Sequence, residues 1–458
     1  MPGAEQRPIG LAAAESPVGS CAQSASTGAT LVAAGQSIFK EDPMPAVTCR
    51  LFVGIDWGSE THHVCVLNLE AQIVEERKVQ HTATSIAEFL DWLSTLAPDF
   101  PASLAIAIEV PHGTLVEELL ERRFCVFSIN PKQLDRFRDR YFPAGAKDDG
   151  RDAFVLADSL RTDQHCFRAV HLGDPAIIRL RELTRLDEDL NFCFQRHCCQ
   201  LRQQLHRYYP HVLQLSKTAD EPWIWALIEL APTPAKAAKI TSKRIEKLLR
   251  EWRIRRVDAE QVITALRGCS FSLAAGTVEV ASEHVLLLLP HLRLLHQQRL
   301  AIASRIEQVL DQLGTSEGEQ PMPDVKVLLS LPGVGRIVTA TMLAEAPQLL
   351  ADRDYHGLRA YAGVAPITRQ SGKKSTVLMR YGCNLRLRNA VYHWSRVSMQ
   401  HDTRSREHYH RLRSKGHSHG RALRGLADRL LALLCAMLRS RTVYDPLRRQ
   451  VAEPPPSA

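Results

Sequence analysis

Four acidic residues stand where carboxylates could act together on a phosphate group. Two of them end β-strand patterns, and two lie three positions apart at the start of a helical pattern: Asp56, Glu109, Asp149 and Asp152. Carboxylates that converge repel one another unless they bind cations. Two Mg²⁺ ions about 3.5–4 Å apart would satisfy this set and are suited to phosphoryl transfer. Taken singly, each acid also fits an ordinary role as a turn residue, an N-cap or part of a solvated helix face.

A serine lies among cations in the polar stretch 368–376, which the sequence predicts to be a loop. Ser371 is accompanied by four cations that could contact a nucleic-acid backbone: Arg369, Lys373, Lys374 and Arg380. The hydroxyl could attack a phosphodiester while the cations stabilise the charge that develops on the phosphate oxygens. A serine needs a base or a metal to take its proton, and none lies nearby in the sequence. A phosphate-contacting loop without a covalent role is therefore an open alternative.

A second candidate contact is the glycine-containing turn Leu331-Pro-Gly-Val-Gly335, which precedes an apolar helical pattern. Backbone N–H groups at a helix N-terminus can bind phosphate without reading the base sequence. Gly333 and Gly335 are thus candidate DNA contacts. An ordinary turn between two helices explains the same residues equally well.

Charge is distributed unevenly along the chain. The whole sequence carries +8, but residues 359–450 contain twenty Lys and Arg and four Asp and Glu, a net charge of +16. Five histidines of this segment, between His401 and His419, are interleaved with Arg and Lys and match no common zinc spacing. The segment therefore favours a polyanionic partner, DNA or RNA, over a basic surface without a ligand.

Composition and cysteine usage are typical of a globular cytoplasmic protein. Eleven scattered cysteines without a CxxC pair indicate reduced thiols and argue against a zinc ribbon. No apolar run reaches about 18 residues, so no membrane span is expected. The N-terminus lacks the residue order of a signal peptide. We expect a cytoplasmic protein that acts at the nucleoid.

Hydrophobic periodicity predicts the elements that must position these residues. The order strand, strand, strand, helix, strand, helix, strand over about residues 50–130 is that of a ribonuclease-H-like mixed sheet, in which the strands ending at Asp56 and Glu109 are neighbours. Two long polar-rich helical patterns at 177–208 and 281–313 predict an antiparallel coiled coil for oligomerisation or spacing, without chemistry of its own. The predicted fold class is α/β plus all-α. The predicted segments are a disordered extension (1–48), an α/β catalytic domain (49–172), a helical coiled-coil region (173–320), a mainly helical C-terminal domain with a helix-hairpin-helix-like element (321–442) and a tail (443–458).

The stretch Gly54-Ile-Asp-Trp-Gly-Ser59 also has a rival interpretation. Actin-like sugar kinases and chaperone ATPases open with a similar strand and turn. They also need a second Gly-rich phosphate loop led by Asp and a Gly-Gly pair near the adenosine, and neither occurs here. The helix that carries Asp149 and Asp152 is not expected in that class, so the kinase interpretation is disfavoured.

Taken together, these stretches resemble a family of DEDD insertion-sequence transposases that have a RuvC-like N-terminal domain and a C-terminal serine transposase domain. Pilin-gene invertases are relatives, and bridge-RNA-guided recombinases belong to the family. The similarity covers about residues 50–440, and the order and spacing of the motifs make it specific. The matching motifs are Phe52-Val-Gly-Ile-Asp-Trp57, Ala107-Ile-Glu109, Asn130-Pro-Lys132, Lys147-Asp-Asp-Gly-Arg-Asp-Ala153, Leu331-Pro-Gly-Val-Gly335, Tyr361-Ala-Gly-Val-Ala-Pro366 and Gln370-Ser-Gly372.

The resemblance implies a Mg²⁺-dependent recombinase of a mobile element. The four acidic residues would form the DEDD tetrad, and Ser371 would be the nucleophile that makes a phosphoserine link to DNA. Tetrad and serine would meet across subunits of a homo-oligomer (a dimer or tetramer), and a structured guide RNA would pair with target and donor DNA. Two assignments have alternatives. Asp148 stands where the family often has Thr and so competes for the third tetrad position, and Ser375 is close enough to Ser371 to be an alternative nucleophile.

Two other functions stay open at the level of sequence. A RuvC-like structure-specific endonuclease that uses water predicts that Ser371→Ala keeps cleavage activity. A catalytically inactive nucleic-acid-binding relative predicts no Mg²⁺ binding and an unchanged nucleic-acid affinity when Asp56 is replaced.

Overall fold

The structure is a computed structural model that describes residues 49–96, 103–141, 148–171, 173–268, 271–274, 276–315, 323–372 and 374–446. The predicted extension 1–48, most of the predicted tail and the candidate contact Lys373 lie outside the described residues. Among the residues that are described, no helix combines the length and apolarity needed to cross a bilayer.

The N-terminal part of the described chain is built on a six-stranded mixed sheet. Its strands are β1 (Leu51–Asp56), β2 (Thr61–Asn68), β3 (Ile73–Gln80), β4 (Leu104–Ile108), β5 (Cys125–Ser128) and β6 (Arg168–Val170). Their spatial order is β3-β2-β1-β4-β5-β6, with β1, β4 and β5 parallel and β2 antiparallel to both of its neighbours. The predicted mixed α/β architecture is confirmed, and the strand order is consistent with a ribonuclease-H-like domain.

Helices cover both faces of this sheet. They are α1 (Ala83–Leu96), α2 (Thr114–Glu121), α3 (Pro131–Tyr141) and α4 (Asp149–Thr162), and a short 3₁₀ turn at Gln164–Cys166 follows them. Helices α1 and α2 pack on one face together with Val53, Ile55 and Ile106, while α3 and α4 pack on the other. Alternate residues of β1 therefore face different helices, as the pleat requires.

Helix α4 approaches β1 at Gly54. A Cβ atom at this position would lie 1.9 Å from the carbonyl oxygen of Ala153 and 2.6 Å from the backbone nitrogen of Ala157. The backbone of the helix thus rests directly on the strand, which only glycine permits. This contact fixes how far the first turn of α4 lies from the strand end that carries Asp56.

Two long helices, α5 (Pro175–Tyr208) and α11 (Thr277–Gly314), run antiparallel along each other, as predicted. The start of α5 and the end of α11 pack into the C-terminal core, and the opposite ends pack into a second core. That second core belongs to an insert made of α6 (Val212–Leu215), α7 (Pro222–Leu230), α8 (Pro234–Ala238), α9 (Ser242–Glu251) and α10 (Ala259–Leu266). The two helices therefore form an arm that carries the insert at its far end.

The C-terminal part is mainly helical, as expected. Its elements are α12 (Asp324–Ser330), α13 (Arg336–Glu345), α14 (Pro347–Ala351), α15 (Tyr355–Tyr361), β7 (Ile367–Ser371), β8 (Lys374–Leu378), α16 (Leu385–His401), α17 (Thr403–Ser414) and α18 (His419–Ser440). The prediction of a loop at 368–376 is wrong, because β7 and β8 form an antiparallel hairpin there. The hairpin has no buried face, so it shows none of the apolar alternation by which strands are recognised.

Candidate active site

Asp56 and Glu109 lie at the ends of neighbouring parallel strands. The register pairs Ile55 of β1 with Ile108 of β4, so Asp56, the last residue of β1, lies beside Glu109, the residue that follows β4. Neighbouring strands are about 4.8 Å apart. Because Ile55 and Ile108 both face α1 and α2, alternation directs the two carboxylates to the opposite face, where α4 packs. The structure thus brings two of the predicted acids together at one edge of the sheet.

The N-terminus of α4 lies over this edge and contributes Asp149. Asp56 pairs across the antiparallel ladder with His63 of β2. The Nε2 atom of His63 is 3.7 Å from Oδ2 of Asp149, whose side chain is 63% exposed. Asp148 is the N-cap of α4 and is also exposed. The contact with His63 favours Asp149 as the acid that faces Asp56.

His63 is a candidate site residue that no sequence motif indicated. It alternates along β2 with the fully buried His62, so the two histidines face opposite sides of the sheet. Pairing of β1 with β2 could have pointed to it, because the residue opposite a strand-end acid is its nearest cross-strand neighbour.

Asp152 lies in a different environment from the other three acids. Its side chain is 3% exposed and accepts two hydrogen bonds from Arg138 of α3, 2.6 Å from Nε to Oδ1 and 3.0 Å from Nη2 to Oδ2. Burial alone would lower the pKa of Arg138, but the hydrogen bonds and charge of Asp152 raise it above its ordinary value. In the part of the chain that the structure describes, no group of three or more His, Cys, Asp or Glu side chains is arranged to hold a metal ion. Asp152, the fourth predicted acid, is therefore paired with the guanidinium of Arg138 and is not grouped with the other three acids.

The chemistry of this edge nevertheless suits a divalent cation. Carboxylate oxygens are the ligands that Mg²⁺ prefers. The buried carboxylate of Asp152 already has a positive charge beside it, the guanidinium of Arg138, as a buried charge requires. The positive end of the α4 dipole stabilises carboxylates in its first turn by only about 0.3–1 kcal/mol each. As they are arranged in the described residues, Asp56, Glu109 and Asp149 do not form a complete ligand set, so their side chains would have to move together to bind such a cation, and Asp152 could join them only if Arg138 released it.

The β7–β8 hairpin places Ser371 beside two cations. Ser371 pairs with Lys374, and Arg369 lies two residues earlier on the same strand, so these three side chains share one face of the hairpin. Ser375 pairs with Gln370 and therefore faces the other side. All residues of both strands beyond Ile367 are exposed. The hairpin thus distinguishes the two candidate serines and favours Ser371.

One hydrogen bond joins the two flanks of the hairpin, and another joins the segment after it to the helical core. Nε of Arg380 donates to the carbonyl oxygen of Ala365 at 3.3 Å, which gives this candidate DNA contact a structural role as well. The amide of Asn384 donates to Glu345 at 2.7 Å. The tip of the hairpin therefore projects from a fixed base.

The two glycines of the Leu331–Gly335 turn differ in their surroundings. Gly333 has φ +77°, and a Cβ there would lie 2.6 Å from the backbone nitrogen of Ser398 on α16, so its role is close packing. Gly335 is exposed at the N-terminus of α13, and a Cβ there would meet nothing within 4 Å. The open approach to Gly335 suits a phosphate, whereas Gly333 is explained without one.

Comparisons with known proteins agree with this architecture. Residues 53–210 match a family model of the DEDD IS110 type described as "Transposase", and residues 325–410 match "Transposase IS116/IS110/IS902 family". The chain is 41% identical over 264 residues to "Putative transposase y4uE" of Sinorhizobium fredii, covering 56% of this chain and 73% of that protein. It is 33% identical over 410 residues to "Mini-circle putative transposase for IS117" of Streptomyces coelicolor, covering 87% of this chain and 96% of that protein.

The mixed α/β domain, its strand-end carboxylates and these matches define an insertion-sequence transposase, a class of enzyme that processes DNA. The chain belongs to the IS116/IS110/IS902 transposase family.

Proposed function

We propose that this transposase is a Mg²⁺-dependent recombinase with a ribonuclease-H-like, RuvC-type catalytic domain, and that it cuts and rejoins DNA through a phosphoserine link on Ser371. The observation that carries the proposal is the placement of Asp56 and Glu109 on adjacent parallel strand ends. They share the face where α4 presents Asp149. That arrangement concentrates negative charge at the edge of the sheet, where a divalent cation would balance it.

In the proposed reaction the Oγ atom of Ser371 forms a bond to phosphorus while the bond from phosphorus to a sugar oxygen breaks. The serine loses its proton and the departing sugar oxygen gains one. One phosphate ester replaces another, so the link can later be attacked by a different sugar hydroxyl to rejoin DNA. Arg369 and Lys374 on the same hairpin face would stabilise the charge that develops on the phosphate oxygens. Mg²⁺ held by the carboxylates would supply further neutralisation at the attacking and departing oxygens.

The active enzyme would be a homo-oligomer in which the acids of one subunit act on the serine of another. No Asp or Glu occurs between Asp354 and Asp402, so the hairpin and its flanks carry no carboxylate base. The exposed tip of the hairpin leaves Ser371 accessible to a neighbouring subunit. A structured guide RNA that pairs with target and donor DNA completes the proposal, supported by the family resemblance and by the +16 charge of residues 359–450.

A trap for the covalent intermediate tests this function. The protein is incubated with Mg²⁺, RNA transcribed from the element's flank and end-labelled junction DNA, then denatured and separated by gel electrophoresis. We expect labelled protein from the wild type and from Ser375→Ala, which changes a serine on the opposite hairpin face. We expect none from Ser371→Ala or Asp56→Ala.

The remaining outcomes separate the alternatives. DNA cleavage without any adduct would identify a nuclease that uses water. An adduct that persists in Ser371→Ala but is lost in Ser375→Ala would move the nucleophile to the other face. Full strand exchange by Asp56→Ala would refute the catalytic role of the carboxylates.

A further inference from the structure

A stripe of cations runs along the outer face of α9, in the insert at the far end of the arm. Three apolar residues on the inner face are buried and hold this helix on the insert core: Ile245, Leu248 and Leu249. Lys243, Lys247 and Arg250 are spaced by four and then three residues, which places them on one line along an α-helix. At about 100° per residue this line lies opposite the buried stripe, and all three residues are exposed.

Further cations surround the stripe. Residues 236–256 contain nine Lys and Arg but only two Glu. The flanking exposed cations are Lys236, Lys239, Arg244, Arg253, Arg255 and Arg256, the last of which is paired with Glu221. Within the described part of the chain, Lys247 is the one member of the stripe that has an ion pair, with Glu251 at 3.9 Å. The insert therefore presents a local positive surface, although the chain outside residues 359–450 is acidic overall.

The stability of α9 does not account for this arrangement. A cation in the last turn, such as Arg250, interacts favourably with the helix dipole. Lys243 and Arg244, however, lie in the first turn, which contains no acidic residue. Cations there oppose the dipole and so disfavour the helix. The charges are thus placed where they weaken the helix, which indicates that they serve a ligand.

The stripe is remote from the C-terminal helices, to which the hairpin with Ser371 belongs. The C-terminal end of α5 packs into the insert core, whereas its N-terminal end packs against the C-terminal helices. Helix α5 has 34 residues and is therefore about 50 Å long at 1.5 Å per residue. At about 3.4 Å per base pair, this length corresponds to roughly 15 base pairs of DNA.

We propose that the outer face of α9 is a second DNA-binding surface, which holds the phosphate backbone of duplex DNA outside the segment that is cut. Its Lys and Arg side chains supply charge without sequence readout. DNA is the expected polyanion because the family acts on DNA, and the inference rests on the proposed function only in this choice. The surface would lengthen the stretch of flanking DNA that the enzyme contacts and would hold the arm alongside that DNA.

The test compares the full-length protein with the triple variant Lys243→Gln, Lys247→Gln, Arg250→Gln. A matched control changes two lysines and one arginine that are exposed elsewhere: Lys78→Gln, Arg123→Gln and Lys217→Gln. Binding to duplexes with flanks of about 10 or about 30 base pairs is measured by fluorescence anisotropy in EDTA, between about 50 and 200 mM salt. Because EDTA prevents cleavage, the result does not depend on whether Ser371 is the nucleophile.

We expect the longer flank to strengthen binding by the wild type and the control but not by the stripe variant. Loss of three phosphate contacts should make the slope of log affinity against log salt less negative by about 2.7. Between about 50 and 200 mM salt, the DNA affinity of the wild type should therefore fall roughly 40-fold more than that of the stripe variant. Equal slopes for the stripe variant and the control would overturn the proposal. So would a defect confined to an RNA duplex of the same length. The melting temperature of each variant shows that the fold is retained.

Discussion

The contact between α4 and β1 predicts that Gly54→Ala displaces the acids from one another. The new Cβ would lie 1.9 Å from the carbonyl oxygen of Ala153, whereas an ordinary contact begins at 3.4 Å. The helix must therefore withdraw by about 1.5 Å, carrying Asp149 away from Asp56. Overpacking of this kind costs about 1–3 kcal/mol of stability. A misplacement of about 1 Å at a catalytic centre can cost about 100-fold in rate.

Urea unfolding and Mg²⁺-dependent cleavage of element-junction DNA measure the two effects of Gly54→Ala. DNA affinity should stay close to that of the wild type, because the basic residues 359–450 are unchanged. Gly150→Ala is a control for stability in the same helix, since a Cβ there is 3.6 Å from Asp148 and meets no closer atom. It should stabilise the protein by less than the about 0.5–1 kcal/mol that alanine contributes over glycine in the middle of a helix, because Gly150 lies in the first turn of α4. Wild-type stability and cleavage in Gly54→Ala would refute the reasoning.

Three further perturbations probe the same domain. Arg138→Met should cost about 3–5 kcal/mol in urea unfolding because it leaves the carboxylate of Asp152 buried without its cation. Changing Asp152 to Leu as well should restore much of this loss, and a stable single variant would contradict the role of the pair. Asp56→Asn should reduce the gain in melting temperature on adding Mg²⁺, because it replaces a carboxylate ligand by a neutral amide; an undiminished gain would place the cation elsewhere. Burial, and then the charge of His81, lower the pKa of His62 below 6.5, so the folded state binds fewer protons than the unfolded state. The contribution of neutral His62 to stability should therefore be fully present above pH 6.5 and be lost as the pH falls. His62→Leu should make the accompanying decline in melting temperature less steep, and identical pH profiles for the variant and the wild type would contradict this role of His62.

The sheet and its two strand-end acids could be predicted because they depend on local patterns. Apolar runs that end at Asp56 and near Glu109 identify buried strands, and their order along the chain identifies them as neighbours. The long helices α5 and α11 follow from periodicity sustained over 34 and 38 residues. Hydrophobic periodicity does not predict helices α3 and α17. Each of them has one buried residue, Leu134 in α3 and Ser405 in α17, and so lacks an apolar stripe.

The partners of the acids could not be predicted, because they depend on tertiary contacts. Arg138 and Asp152 lie 14 residues apart on different helices, and no local spacing relates them. The proximity of His63 to Asp149 depends on α4 crossing β1 and β2 at a particular distance, which Gly54 sets. The opposite orientation of Ser371 and Ser375 could be deduced only from the register of the hairpin, because the same residues in a loop would not lie on fixed faces.

The β7–β8 hairpin also has a consequence for how the protein behaves in solution. In the described part of the chain its sheet consists of these two strands, so each strand has an outer edge that is not paired within the hairpin. Such edges are templates for pairing with another chain, and charged side chains are a common protection against aggregation. Arg369 and Lys374 provide that protection on the face that carries Ser371. Replacing them with neutral residues should therefore lower solubility as well as activity. Arg369→Lys and Lys374→Arg, which keep the charge, are better suited to separating these two effects.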